Sequence, residues 1–278
     1  MKKIDAHQHF WKYDPQRDIW MTEKMDMLHR DFMPPDLIGD LAKYGFEGTV
    51  LVQSSQTEEE NAFQLQNAAE NNFIKGVVGW IDLTSAEVPE RLGYYSRFPK
   101  MKGFRHTLQD EPQRDYMLRP DFLRGLAALA GFGYTYDILV YPDQLPFIPQ
   151  MVTRFPNQKF VIDHLAKPYI KDRKISEWEQ DIRAVSAYRN VYCKMSGYTT
   201  EADWQHWVPG DFTRYFDVVV DAFGTDRLMV GSDWPVCLLA GTYGTVTDVV
   251  FNYFSPFSDE EKEAVFGNNA AAFYNLQI

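Results

Sequence analysis

Ile4-Asp5-Ala6-His7-Gln8-His9-Phe10-Trp11 is the stretch on which the fold turns. A short apolar run ends in two histidines, and the turn that follows holds no glycine. An open doubly wound sheet places a glycine-rich turn after its first strand. Its absence favours the other arrangement of parallel strands, closure into a barrel. Side chains alternate along a strand with a period of two, so His7 and His9 face the same way. Such a pair is a pre-aligned half of a metal site or of an acid–base cluster.

Working outward, short apolar and partly β-branched runs recur at 3–6, 49–52, 77–81, 101–104, 134–140, 160–162, 191–195 and 228–230. They read as buried parallel strands. Helical segments lie between and after them at 58–71, 87–98, 121–130, 144–154, 176–189, 212–223 and 259–266. Thr84-Ser85, Ser176 with Glu179, and Ser258-Asp259 supply N-terminal caps, and Phe98-Pro99 and Phe155-Pro156 are stops. Eight strand–helix repeats of about 30 residues predict an α/β fold, a (β/α)8 TIM barrel in a single domain over residues 1–278. Residues 7–48 read as a loop with short helices over the barrel mouth.

Hydrophobic residues make up 45% and charged residues 24% of the chain, which is globular composition. The net charge of -11 and the lack of a Lys/Arg block exclude a nucleic-acid-binding face. The acidic run Thr57-Glu58-Glu59-Glu60 reads as a first helical turn. Cys193 and Cys237 form no CxxC motif, which fits a reducing compartment. Met1-Lys2-Lys3-Ile4-Asp5 lacks the apolar core of a signal peptide, and no apolar run approaches the ~18 residues of a membrane span. The expectation is a cytoplasmic protein with neither membrane nor nucleic acid as partner, its oligomeric state open. No GxxxxGK[ST] motif supports ATP-driven chemistry.

Barrel enzymes carry their chemistry at the C-terminal ends of the strands. Those ends hold His7 and His9, then Gln53-Ser54-Ser55, Trp80 and Asp82, and Arg105-His106. Around the second half they hold Tyr136, Asp137 and Tyr141, then Asp163-His164, Lys194 and Ser196, and Asp233. Ionisable groups at this density are costly to bury unpaired, so they mark a site. His29 and His206 read as surface residues. His106 reads as a supporting or a direct contact, and Asp82 and Asp163 as capping or catalytic groups. His7, His9, His164 and Asp233 form the tightest set and suit one divalent ion, zinc above others. An ion with an open position would polarise a carbonyl or activate a water. Asp233 reads alternatively as the general base.

The words Asp5-Ala6-His7-Gln8-His9-Phe10-Trp11, Gly103-Phe104-Arg105-His106, Asp163-His164-Leu165-Ala166-Lys167-Pro168, Lys194-Met195-Ser196-Gly197 and Gly231-Ser232-Asp233-Trp234-Pro235-Val236 jointly resemble the amidohydrolase superfamily. Within it they are similar to the sugar-lactone hydrolase branch, which acts on L-fuconolactone- or L-rhamnonolactone-like substrates. The resemblance runs to Asn268-Asn269-Ala270. It implies hydrolysis of a small-molecule sugar lactone to the aldonic acid, with Asp233 activating water. It further implies that His7, His9 and His164 bind a metal or orient the carbonyl, and that Arg105 contacts substrate oxygens. Two-metal members carry a carboxylated Lys or a Glu after strand four and a His on strand five. Here strand four ends in Arg105 and strand five has no His, so one metal at most is implied, and the branch includes metal-independent members. In a metal-free version Arg105, His7 and His9 would polarise the carbonyl. Trp11, Trp80, Tyr136, Trp204 and Trp234 are candidates to stack on a sugar, and Gln53, Arg105, His106 and Lys194 to bond its oxygens. The bland alternative makes each aromatic a core residue. A metal-dependent non-oxidative decarboxylase and a catalytically inactive sugar-binding barrel are the rival functions.

Overall fold

The eight apolar runs form eight parallel strands in the order of the sequence. They are β1 (Lys3–Gln8), β2 (Phe46–Val52), β3 (Ile74–Gly79), β4 (Met101–His106), β5 (Thr135–Ile138), β6 (Phe160–Ile162), β7 (Val191–Met195) and β8 (Leu228–Val230). The computed structural model describes residues 2–278, so Met1 lies outside the described residues. The ring closes where β1 meets the chain leaving β8. There the His9 amide donates to the Trp234 carbonyl at 2.7 Å and the Asp233 amide to the His7 carbonyl at 2.8 Å. The result is a (β/α)8 barrel.

The helices are α1 (Pro34–Tyr44), α2 (Glu58–Glu70), α3 (Val88–Tyr95), α4 (Pro120–Phe132), α5 (Ile148–Val152), α6 (Ser176–Ser186), α7 (Gly210–Phe223), α8 (Tyr243–Tyr253), α9 (Asp259–Glu263) and α10 (Asn269–Phe273). Two correct the sequence reading. Only part of the segment between β1 and β2 arches over the mouth, because α1 fills its second half. Its signals are local: prolines open it, the Asp36 carboxylate accepts from the Met33 amide at 2.8 Å, and Gly45 ends it at φ 72°. Helix α8 is rich in Val and Thr and has weak intrinsic propensity, but Thr242 caps it. The expected Ser176 box is absent, since Ile175 occupies the cap position, whereas Ser258 does cap α9. Ser85 accepts from the Glu87 amide ahead of α3 without capping it.

Two apolar layers result. The larger lies between barrel and helices. The smaller fills the bottom of the barrel with Ile4, Ala6, Val50, Val52, Val78, Val161 and Met229, closed from below by Phe273, Tyr274 and Leu276. Strand β1 contributes to this interior twice. Ile4 and Ala6 enter the apolar layer, and then the register against β2 slips between Asp5 and Gln8. Gln8 bonds Thr49 Oγ1 at 3.0 Å instead, and His7 and His9 become the inward pair. A bulge re-aims side chains in this way, and bulges gather next to active sites.

The plug is also chemical. The Tyr274 hydroxyl donates to Asp137 Oδ2 at 2.7 Å inside the barrel. Tyr274→Phe keeps the shape and removes that donor from a buried carboxylate, at an expected cost of about 1–3 kcal/mol. A lower urea midpoint at unchanged slope would show it; an unchanged midpoint would refute it.

Candidate active site

Above the apolar floor, the interior side chains are Arg105 of β4, Asp137 of β5, Asp163 just after β6, and Lys194 of β7. None of the four exceeds 5% exposure. Lys194 Nζ donates to Asp137 Oδ2 at 2.6 Å and stands 3.0 Å from Asp163 Oδ1 and 3.1 Å from His7 Nδ1. Arg105 donates to Asp163 Oδ2 at 3.0 Å and to the Gln53 carbonyl at 2.5 Å. Two carboxylates thus face two cations, the condition under which ions tolerate burial. Burial pushes the Asp137 carboxyl up. It acts the same way on Asp163, but Lys194, His7 and Arg105 together hold Asp163 well below the usual carboxylate range.

On this charged layer sit the imidazoles. His7 Nε2 lies 3.2 Å from His9 Nε2, and burial with the neighbouring Lys194 drives its pKa well down. His9 Nδ1 lies 2.8 Å from the Val52 carbonyl, which only accepts, so Nδ1 donates there. His164 Nδ1 bonds Ser196 Oγ at 2.9 Å, and burial lowers its pKa to about 4. The three Nε2 atoms converge on Asp233 Oδ1, at 3.8 Å from His7, 3.3 Å from His9 and 3.8 Å from His164. Burial alone would raise the Asp233 carboxyl. His164, His9 and His7 outweigh it and keep Asp233 charged.

Close approach makes this packing possible. A Cβ on Gly231 would lie 2.6 Å from His7 Cβ, and one on Gly197, at φ 60°, 2.5 Å from His164 Nδ1. The backbone is also forced at the reactive positions: Asp233 has φ 57°, and His164, Leu165, Ala166 and Lys167 run at 56°, 54°, 57° and 51°. Non-glycine residues pay about 1–2 kcal/mol each for this conformation, and such strain clusters at functional sites.

A cavity of about 740 Å³ opens onto His9, Arg105, His164 and Asp233. Trp11 and Trp204 line it, as the sequence suggested. The other expected substrate contacts are placed elsewhere. Lys194, Gln53 and Tyr136 are fully buried below or behind the site, Lys194 because its charge is spent on Asp137 and Asp163. Trp234 is core, edge-on to Phe10 and Phe32. His106 is locked to Glu111 at 2.6 Å and stacked on Tyr116, Trp80 donates to His106, and neither lines the cavity. Arg105 reaches the cavity with its guanidinium already engaged. His206 is exposed, whereas His29 is half-buried, bonding the Met21 carbonyl and stacked on Tyr13. Asp82 accepts from the Thr84 amide and hydroxyl in the loop after β3, caps no helix and does not line the cavity.

Lys167, Tyr141 and Glu201, which sequence reasoning gave no role, line the cavity. The signal for Lys167 was its place three residues after His164. Asp5 was also passed over; its carboxylate accepts from the His7 and Ser232 amides and from Tyr243, tying β1 to the β8 loop.

The donor set fits a divalent ion. One ligand atom each from His7, His164 and Asp233 lie within 4.8 Å of one another, with His9 alongside. His9 Nε2 and Asp233 Oδ1 stand 3.3 Å apart beside this set. Val52 and Ser196 hold the far nitrogens of His9 and His164, as outer partners of metal-bound histidines do.

Comparison with known proteins adds three findings. A sequence profile of the amidohydrolase family matches residues 4–276. The chain is 38% identical to an L-fucono-1,5-lactonase of Burkholderia multivorans over 99% of this chain and 96% of that one, and 36% identical to one of Burkholderia ambifaria over the same shares. A crystal structure of an amidohydrolase from Burkholderia multivorans with bound zinc superposes with a TM-score of 0.97 at 36% identity, covering 100% of both chains.

Two outcomes are expected. Lys194→Met strands two buried carboxylates and should cost about 3–5 kcal/mol in urea unfolding. Chelator-treated protein should take up one zinc per chain by metal analysis, and His164→Ala should abolish that uptake; undiminished uptake would remove His164 from the ligand set.

Proposed function

Because the chain belongs to the amidohydrolase family, we propose that it hydrolyses the cyclic ester of a sugar acid, an L-fuconolactone-like lactone, to the open aldonic acid. The observation that carries the reading is Asp233: a carboxylate on which three imidazole nitrogens converge, at the floor of a cavity large enough for a small ligand. The names of the two Burkholderia relatives supply the substrate class. They favour hydrolysis over the decarboxylase and over an inactive sugar-binding barrel.

Asp233 takes a proton from the attacking water, and the water oxygen bonds to the lactone carbonyl carbon. His9 and His164 orient the Asp233 carboxylate and the carbonyl. Trp11 and Trp204 offer flat apolar faces to the sugar ring. Arg105 acts from below, fixing Asp163 and through it His7. A divalent ion held by His7, His164 and Asp233 beside His9 would supply Lewis-acid polarisation of the carbonyl. Arg105 thus changes role, from the substrate contact implied by the family resemblance to a support of the site.

The test is a pH-indicator assay over a panel of aldonolactones. Wild-type protein should open L-fuconolactone or a close stereoisomer. Asp233→Asn should lower kcat by about 10²–10⁴-fold, the usual worth of a positioned base, with an unchanged circular dichroism spectrum. Near-wild-type turnover by that variant would reject Asp233 as the base.

A further inference from the structure

A sugar lactone presents hydroxyls as well as a carbonyl, and the groups at the cavity floor attend to the carbonyl. We propose that Arg17 sets specificity: its Nη1 donates to hydroxyl oxygens on the part of the lactone remote from the carbonyl, a binding role that rests on the hydrolase reading above.

The first support is position. Arg17 belongs to the stretch between β1 and α1 that arches over the barrel mouth, and it lines the same cavity as Asp233. Asp233 and the imidazoles occupy the floor. A lactone seated with its carbonyl at Asp233 therefore turns the far side of its ring toward the arch. The strand order sets the loop after β1 across the ring from the loops after β5 and β6, which bring Tyr141 and Lys167 to the cavity.

The second support is how the guanidinium is held. Nε donates to Asp18 Oδ1 at 2.8 Å, and Nη2 donates to Asp18 Oδ2 at 2.7 Å and to the Lys12 carbonyl at 2.5 Å. A guanidinium carries five donor hydrogens in one plane and accepts nothing. Three of them are thereby placed, and the two on Nη1 have no acceptor among the described residues. They are offered in a fixed direction, and only to oxygen lone pairs.

The third support is Asp18. It is only 2% exposed although it lies in a loop, while the Arg17 side chain is 37% exposed. Asp18 is fixed in turn: its amide donates to the Asp14 carbonyl at 2.8 Å, and its Oδ2 accepts from the Asp14 amide at 2.9 Å. An ion pair with one member in solvent stabilises a fold little. What the buried carboxylate does is hold the guanidinium in one orientation, which spares a ligand the entropy of ordering a long side chain.

The other cations that line the cavity have partners of a different kind. Arg105 is engaged from below by Asp163 and the Gln53 carbonyl, and Lys167 Nζ lies 3.4 Å from Glu201 Oε1 on the far wall. Arg17 is the cation of the arch. A hydrogen bond from a charged donor is about twice as strong as a neutral one, and a site that bonds a substrate hydroxyl discriminates against an analogue lacking it.

Arg17→Met removes the fork and keeps most of the side chain's length. On the aldonolactone that wild-type protein opens, this variant should raise KM about tenfold or more and keep kcat within about threefold, because a contact far from the reacting bond is made equally in the ground and transition states. The comparison substrate is δ-valerolactone, a six-membered lactone without hydroxyls. The preference for the aldonolactone over it, as a ratio of kcat/KM, should fall about tenfold or more. Asp18→Asn, which loosens the hold on Arg17, should lower the same ratio by less. A wild-type KM in Arg17→Met would overturn the proposal, and so would an equal loss on both lactones, which marks damage to the loop. Should Arg17→Met fail to fold, Arg17→Lys decides: it keeps a charge beside Asp18 without the fork, and an undiminished preference for the aldonolactone overturns the proposal. Failure of the wild-type protein itself to open any aldonolactone sinks the hydrolase reading instead.

Discussion

The Lys194 ammonium, fully buried at the barrel axis, is the interaction on which the other parts depend. It holds Asp137 from β5, Asp163 from the turn after β6 and His7 from β1 within 3.1 Å. Arg105 of β4 completes the layer through Asp163. Ions in such a place stabilise little by themselves, since desolvation offsets most of their attraction. What they impose is geometry: each strand has one register in which its charge meets its partner. The apolar floor below would tolerate exchange of one aliphatic side chain for another of similar volume, whereas the charged layer would not. The imidazoles above it inherit that rigidity, as a preorganised site requires.

Most of the architecture could be read from the sequence because buried parallel strands are short apolar runs, and all eight were found. β6, β7 and β8 matched to the residue. The meeting of three imidazoles with Asp233 was legible too, because period-two alternation puts His7 and His9 on one side. Three things were not. The bulge in β1 is a register event between two strands, and no residue type announces it. The charged layer was misjudged because Lys194 and Gln53 are polar residues at strand ends, where exposure is the ordinary outcome; only the joint presence of Asp137 and Asp163 makes burial affordable. Tyr136 and Trp234 were drawn to the site by type, although aromatic rings most often fill cores. Lys167 escaped because nothing in Leu165-Ala166 foretells a left-handed backbone.

Conformational strain and charge balance divide the labour in this barrel. The lower interior packs apolar side chains beneath a layer of paired charges. The rim carries its positive-φ residues at Asp233 and from His164 to Lys167, and its glycines where a methyl group would strike His7 or His164. A rim of this kind would drift without a floor that does not.

The floor includes the far end of the chain. Tyr274 reaches Asp137, Asp137 holds Lys194, and Lys194 holds His7. The first strand and the last turn of helix therefore meet through one line of hydrogen bonds. In a chain made from the amino end, the histidines appear first but lack their settled footing until the tyrosine arrives. The reactive centre is thus coupled to docking of this segment, and a barrel with it undocked would carry every rim residue without the anchor beneath them.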